Sequence, residues 1–98
     1  MIRHVVFFEF KDGVSQEDIE EMEAALKALP DAIDTIEAYT VGPDIGLSES
    51  AVDFAVVADF ATPEGYLAYR SHPAHVAAVE SFVNPIVARI SRIQFEVN

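Results

Sequence analysis

The chain has no cysteine and no tryptophan among its 98 residues. Without thiols there is no disulfide framework, no thiolate nucleophile and no zinc–cysteine site. A small chain that folds without disulfides suits a reducing compartment. Positive charge is scarce. Six Lys and Arg stand against seventeen Asp and Glu, a formal charge of −11. Phosphate contacts need clustered Lys and Arg, so nucleic acid is excluded as a partner class, and anionic membrane surfaces with it. At long range such a chain disfavours anionic partners. Long apolar runs are also missing, so no membrane span is expected. Met1 leads within one residue into a strand-like run, with no charged start and no cleavage site. No signal peptide is expected, and the expected location is the cytoplasm.

What is present is apolar. Hydrophobic residues make up 51% of the chain, which is rich for a monomer of this size. The surplus implies an apolar surface buried in an oligomer, or an apolar pocket. The length predicts one domain, residues 1–98, with a small but sufficient core.

Ile2 to Phe10 is rich in Val and Phe and is bounded by Lys11-Asp12-Gly13, which predicts a strand and a turn. Both of its faces are largely apolar, so the strand is expected to be central and covered on both sides. Ser15 is placed as an N-cap for a helix running to about Leu29. Ile19, Met22, Leu26 and Leu29 form its buried stripe, and Pro30 is expected to stop it. Ile33 to Val41 reads as a second strand, 42–50 as a loop, and Val52 to Phe60 as a third strand. Thr62-Pro63 starts a helix that breaks at His72-Pro73 and resumes to about Val83. Ile86 to Val97 closes with a fourth strand, of which Arg92 to Val97 is the clearest part. The order βαββαβ predicts an α+β, ferredoxin-like antiparallel sheet with helices on one face. The other face would be apolar and open, which predicts a homodimer through sheet-to-sheet packing.

The chemistry-bearing segment is Tyr69-Arg70-Ser71-His72-Pro73-Ala74-His75. It holds two of the three histidines and one of the three tyrosines. Imidazole and phenol exchange protons, imidazole near neutral pH. Pro73 forces His72 out of the helical region, so a joint between two helices can aim Tyr69 and His75 at one point. His75 is a candidate base, and Tyr69 its partner or an oxyanion donor. The competing reading is structural: His75 satisfies backbone groups in a first helical turn and Tyr69 packs. His72 is read as a cap across the helix break. His4 shares a face with Val6 and Phe8, and is read either as a satisfied core histidine or as a pocket group. No metal is expected, because no HExxH or similar spacing exists. Gly42-Pro43-Asp44-Ile45-Gly46 lacks the glycine pattern and lysine of a phosphate loop. Asp44 and Glu49 are read as solvated loop carboxylates.

Three stretches carry a resemblance: Ile2-Arg3-His4-Val5-Val6-Phe7-Phe8, Val41-Gly42-Pro43-Asp44-Ile45-Gly46-Leu47-Ser48, and Tyr69 with His72-Pro73-Ala74-His75. In order and spacing they resemble the stress-responsive dimeric α+β barrel (Dabb) domain, over almost the whole chain. The resemblance implies a homodimer with a barrel-like pair of sheets and a cavity between each sheet and its helices. In the plant polyketide-cyclase branch of that family, a tyrosine and a histidine promote aldol closure of a linear polyketide thioester. The matching positions here are Tyr69 and His75. The pocket histidine matches His4, and wall positions match Val6, Phe8, Met22, Leu26 and Val56. That branch has a further histidine where this chain has Phe54, and the region from Phe82 to Arg89 matches poorly. Some plant members hold magnesium through backbone carbonyls, a site without a side-chain signature that is not carried over. The resemblance therefore implies a cavity that binds a small apolar carbonyl compound, with cyclase-like chemistry and no resident cofactor. The alternatives are a non-catalytic stress-responsive or ligand-binding homodimer, and a monooxygenase by superfamily analogy, with haem or without a cofactor.

Overall fold

The computed structural model describes residues 1–98. The Val- and Phe-rich run forms β1 (Ile2–Phe10), and Gly13 takes the turn after it with φ 78°. Ser15 caps α1 (Gln16–Lys27), accepting from the Asp18 backbone N–H at 3.1 Å. A short helix α2 (Leu29–Ala32) follows. Next come β2 (Ile36–Pro43), β3 (Phe54–Phe60), α3 (Pro63–Ser71) and α4 (Pro73–Ala78). A π-helical turn at Val79–Val83 then leads into β4 (Val87–Glu96). All strand pairs are antiparallel, in the order β2-β3-β1-β4. This is the ferredoxin-like α+β arrangement, with β1 at the centre as expected.

Several boundaries differ from the sequence reading. The first helix ends at Lys27, before Pro30, and Pro30 sits instead in the first turn of α2, where its missing N–H costs nothing. Ile33 does not begin β2. It closes α2, with its N–H on the Leu29 carbonyl, and buries its side chain. Val52 precedes β3, because Asp53 is used to tie the loop to β1. Its N–H donates to the Phe8 carbonyl and its carboxylate accepts from the Phe10 N–H, both at 2.8 Å. No helix of the chain is long and apolar enough to cross a membrane.

The two faces of the sheet follow from the two-residue alternation of β1. His4, Val6 and Phe8 point toward the helices and are buried. Their cross-strand partners are Ala58, Val56 and Phe54 on β3, and Gln94, Arg92 and Ile90 on β4. One part of this covered face is packed solid, around the fully buried Phe54, Phe60, Met22 and Ile33. Arg3, Val5 and Phe7 point the other way, beside Val57, Ile93 and Phe95. No element of the same chain covers that face, which is the one expected to meet a second copy. Phe7, Ile93 and Phe95 are 37%, 55% and 46% exposed.

Candidate functional site

Between the sheet and α3–α4 the covered face is hollow. A cavity of about 390 Å³ opens there, within the size range of small-molecule sites. Of the positions singled out from the sequence, His4, Val6, Phe8, Leu26, Val56, Tyr69 and His75 all line it. Met22 does not reach the wall. It has no exposed surface and packs in the solid half of the core. Phe54 fills the space instead of lining it, stacked on Phe8 with ring centroids 6.0 Å apart.

The helix joint places the two proton-carrying groups. Pro73 leaves His72 extended, at φ −62° and ψ 134°. There the His72 ring caps α4, its Nδ1 accepting from the Ala74 N–H at 3.0 Å. That cap starts α4 at Pro73, so His75 lies in its first turn. His75 Nδ1 is 3.0 Å from the Arg70 carbonyl oxygen. A carbonyl only accepts, so Nδ1 carries the hydrogen and Nε2 keeps its lone pair. The Tyr69 ring is 4.3 Å from the His75 ring, centroid to centroid. Burial pulls the His75 pKa down. The Arg70 carbonyl opposes this in part, and the charges of Arg92 and His72 add to the lowering. His75 is thus a neutral imidazole with one free nitrogen beside a cavity.

Tyr69 is 3% exposed. Burial raises its pKa, Tyr39 lowers it in part and Tyr66 adds to the rise, so the phenol keeps its proton and can only donate it in a hydrogen bond. His4 is held on the opposite wall by Gln94, whose Nε2 lies 2.8 Å from His4 Nδ1. The His4 pKa is pushed down to about 4, first by burial and then by Arg92 and His75. Tyr66 packs on it at 4.8 Å between ring centroids.

Sequence reasoning missed five polar wall residues: Tyr39, Tyr66, Arg70, Arg92 and Gln94. Gln94 and Arg92 lie opposite His4 and Val6 across the β1–β4 ladder. Strand alternation places them on the covered face once the register is known, but the register is a tertiary fact. The Tyr39 hydroxyl is buried and has no partner of proper hydrogen-bond geometry. It is nevertheless near enough to Tyr69 to perturb it, and its own pKa is raised by burial. The π-helical turn adds Val79 and Val83 to the wall. Its signature bond runs from the Asn84 N–H to the Val79 carbonyl at 2.8 Å. No group of three or more His, Cys, Asp or Glu side chains is placed to hold a metal ion.

Known proteins share this arrangement of elements. The chain is 30% identical over 87 residues to an Arabidopsis thaliana protein described as stress-response A/B barrel domain-containing protein HS1, covering 87% of this chain and 80% of that protein. A Thermobifida fusca protein, described as a dimeric ferredoxin-like protein of unknown function, matches with a TM-score of 0.90 and 38% identity. That match covers 98% of this chain and 90% of the other. A hydroxynitrile lyase from Passiflora edulis shares the fold at a TM-score of 0.86 and 22% identity, over 99% of this chain and 93% of its own. That identity supports common architecture and no common chemistry. The family model for the stress responsive A/B barrel domain matches residues 2–98, from the first strand to the last residue, and the chain belongs to that family.

Proposed function

We propose that the chain binds a small carbonyl compound in the cavity and acts on it by proton transfer, with His75 as the base and Tyr69 as hydrogen-bond donor. The observation that carries this reading is the hydrogen bond from His75 Nδ1 to the Arg70 carbonyl. It fixes the tautomer that leaves Nε2 basic, in a ring whose lowered pKa keeps it neutral near pH 7. A proton alpha to a carbonyl is taken by Nε2. The oxygen that gains negative charge is met by the Tyr69 hydroxyl, which burial keeps protonated. In a polyketide thioester this step begins an aldol ring closure. His4, Val6, Phe8, Leu26 and Val56 form part of the remaining wall and orient the chain of the substrate.

The test uses His75→Asn, which keeps an N–H for the Arg70 carbonyl and removes the base. Turnover of a linear polyketide thioester should fall by about 100-fold or more with little change in melting temperature. Tyr69→Phe should lower the rate less and keep the packing. Equal turnover by wild type and His75→Asn would remove His75 from the mechanism. A second reading is a non-catalytic binder, supported by His4, whose ring is held by Gln94 and sits in the cavity without the means to take a proton at neutral pH. It predicts ligand binding without turnover.

The open apolar face supports a homodimer with sheets packed face to face, in keeping with the dimeric relative. The lack of cysteine supports a reducing compartment such as the cytoplasm.

A further inference from the structure

The cavity wall inverts the charge of the rest of the molecule. Seventeen Asp and Glu are distributed through the chain, yet none of the fifteen wall residues is acidic. Two of the six basic residues, Arg70 and Arg92, are on that wall. Neither has a carboxylate partner, whereas Arg3, Lys27 and Arg89 are each paired with one. Arg92 faces inward from β4, opposite Val6, and its charge is felt by both His4 and His75, from opposite walls. At neutral pH both of those imidazoles are uncharged, so the two guanidiniums are the only cations lining the space.

Both arginines are exposed, so their charge reaches the cavity from its solvent side, and with no protein carboxylate on either one each is free to pair with an anion. Guanidinium is planar and binds a carboxylate through two parallel N–H bonds. Much of the rest of the wall is apolar or aromatic, including Val6, Phe8, Leu26, Val56, Tyr66 and Val83. We propose that the ligand of this cavity is an organic monocarboxylate, its acid group held by Arg92 and Arg70 and its flat or aliphatic body lying against that wall. This rests on the reading of the cavity as the ligand site and names the class of compound it selects. The long-range repulsion of a chain of formal charge −11 is overcome only locally, where the two arginines sit.

The experiment compares matched acids and amides, 3-phenylpropanoate with 3-phenylpropanamide and octanoate with octanamide, by isothermal titration calorimetry on the whole chain at neutral pH. At least one acid should bind about tenfold or more tightly than its amide. Arg92→Gln should abolish that ratio, and Arg70→Gln should narrow it. Both side chains are unpaired, so neither change should lower the melting temperature. Equal binding of acid and amide would overturn the proposal. So would no binding of either acid at millimolar concentration, or an acid preference that survives in the double variant. The outcome is separable from the proton-transfer reading. Acid binding that persists in a His75→Asn protein supports the carboxylate site even if no turnover is ever found. Turnover of neutral ketones together with equal binding of acid and amide leaves His75 in place and removes the carboxylate site.

Discussion

The two faces of one sheet treat polar groups in opposite ways. On the open face the charges are paired with each other. Arg3 grips Asp59 through Nε to Oδ1 at 2.8 Å and Nη2 to Oδ2 at 2.9 Å. Each shifts the other, first by that hydrogen bond and also by charge: the Arg3 pKa rises and the Asp59 pKa falls. What remains around the pair is apolar, and it remains exposed. On the covered face the order is reversed. The surroundings are largely buried and apolar, while the free nitrogen of His75 and the exposed guanidinium of Arg92 at the cavity lack a partner within the protein. A surface that satisfies its own charges and leaves its hydrocarbon open suits the proposed sheet-to-sheet dimer. A hollow that satisfies its hydrocarbon and leaves polar groups open suits the ligand proposed for it.

The strongest way to break this contrast is to put a charge on the open face. Val57→Asp, at the middle of that face, should weaken a sheet-to-sheet dimer by about 4 kcal/mol, because an unpaired carboxylate would be buried between the sheets. Sedimentation should show a monomer for the variant and the proposed dimer for the wild type, with ligand binding in the cavity unchanged. An unchanged dimer would move the interface elsewhere.

The next change tests whether the covered face divides into a solid half and a hollow one. Met22→Ala should cost about 3 kcal/mol in denaturant unfolding, since a fully buried side chain leaves a cavity behind it. Ligand affinity should hardly move, because Met22 is not on the wall. A large loss of affinity at preserved stability would return Met22 to the binding residues.

A smaller effect comes from acid. His4 is neutral in the folded state with a pKa of about 4, against an ordinary value of 6.5. Between those values the unfolded chain binds the extra proton and the folded chain does not, so stability falls as pH drops from 6.5 toward 4. The loss should be on the order of 2 kcal/mol, and His75 adds to it in the same direction. Chemical denaturation across that window should show a shallower slope for His4→Gln than for wild type. An identical slope would mean that His4 is solvated.

The smallest expected effect is Asp59→Asn. The pair is partly exposed, so its contribution to stability should be slight. What stability it gives is present above the ordinary carboxylate range and is lost as pH falls through the lowered pKa of Asp59. A melting curve at high salt, which screens the pair, should bring wild type and variant closer together.

Much of this architecture was legible in the residues. Two-residue alternation in Ile2–Phe10 assigned His4, Val6 and Phe8 to one face, and Pro73 broke the helix where the structure breaks it. The stripe of Met22, Leu26 and Leu29 was readable from helical period, although its end was misplaced by treating Pro30 as a stop rather than as the first turn of α2. These features depend on neighbours a few residues away, so local sterics and hydrogen bonding determine them. The tertiary structure alone decided the rest. The β1–β4 register brings Gln94 to His4 and Arg92 to the cavity across some 90 positions of chain, since the paired residues are separated by |i−j| = 90. The π-helical turn that carries Val79 and Val83 to the wall has no signal in the residue types. The sequence by itself determined which groups could move protons and which face of each element was apolar. Whether those groups would find partners or be left open depended on which strands met, and in what register, because a hydrogen bond or ion pair exists only at contact distance.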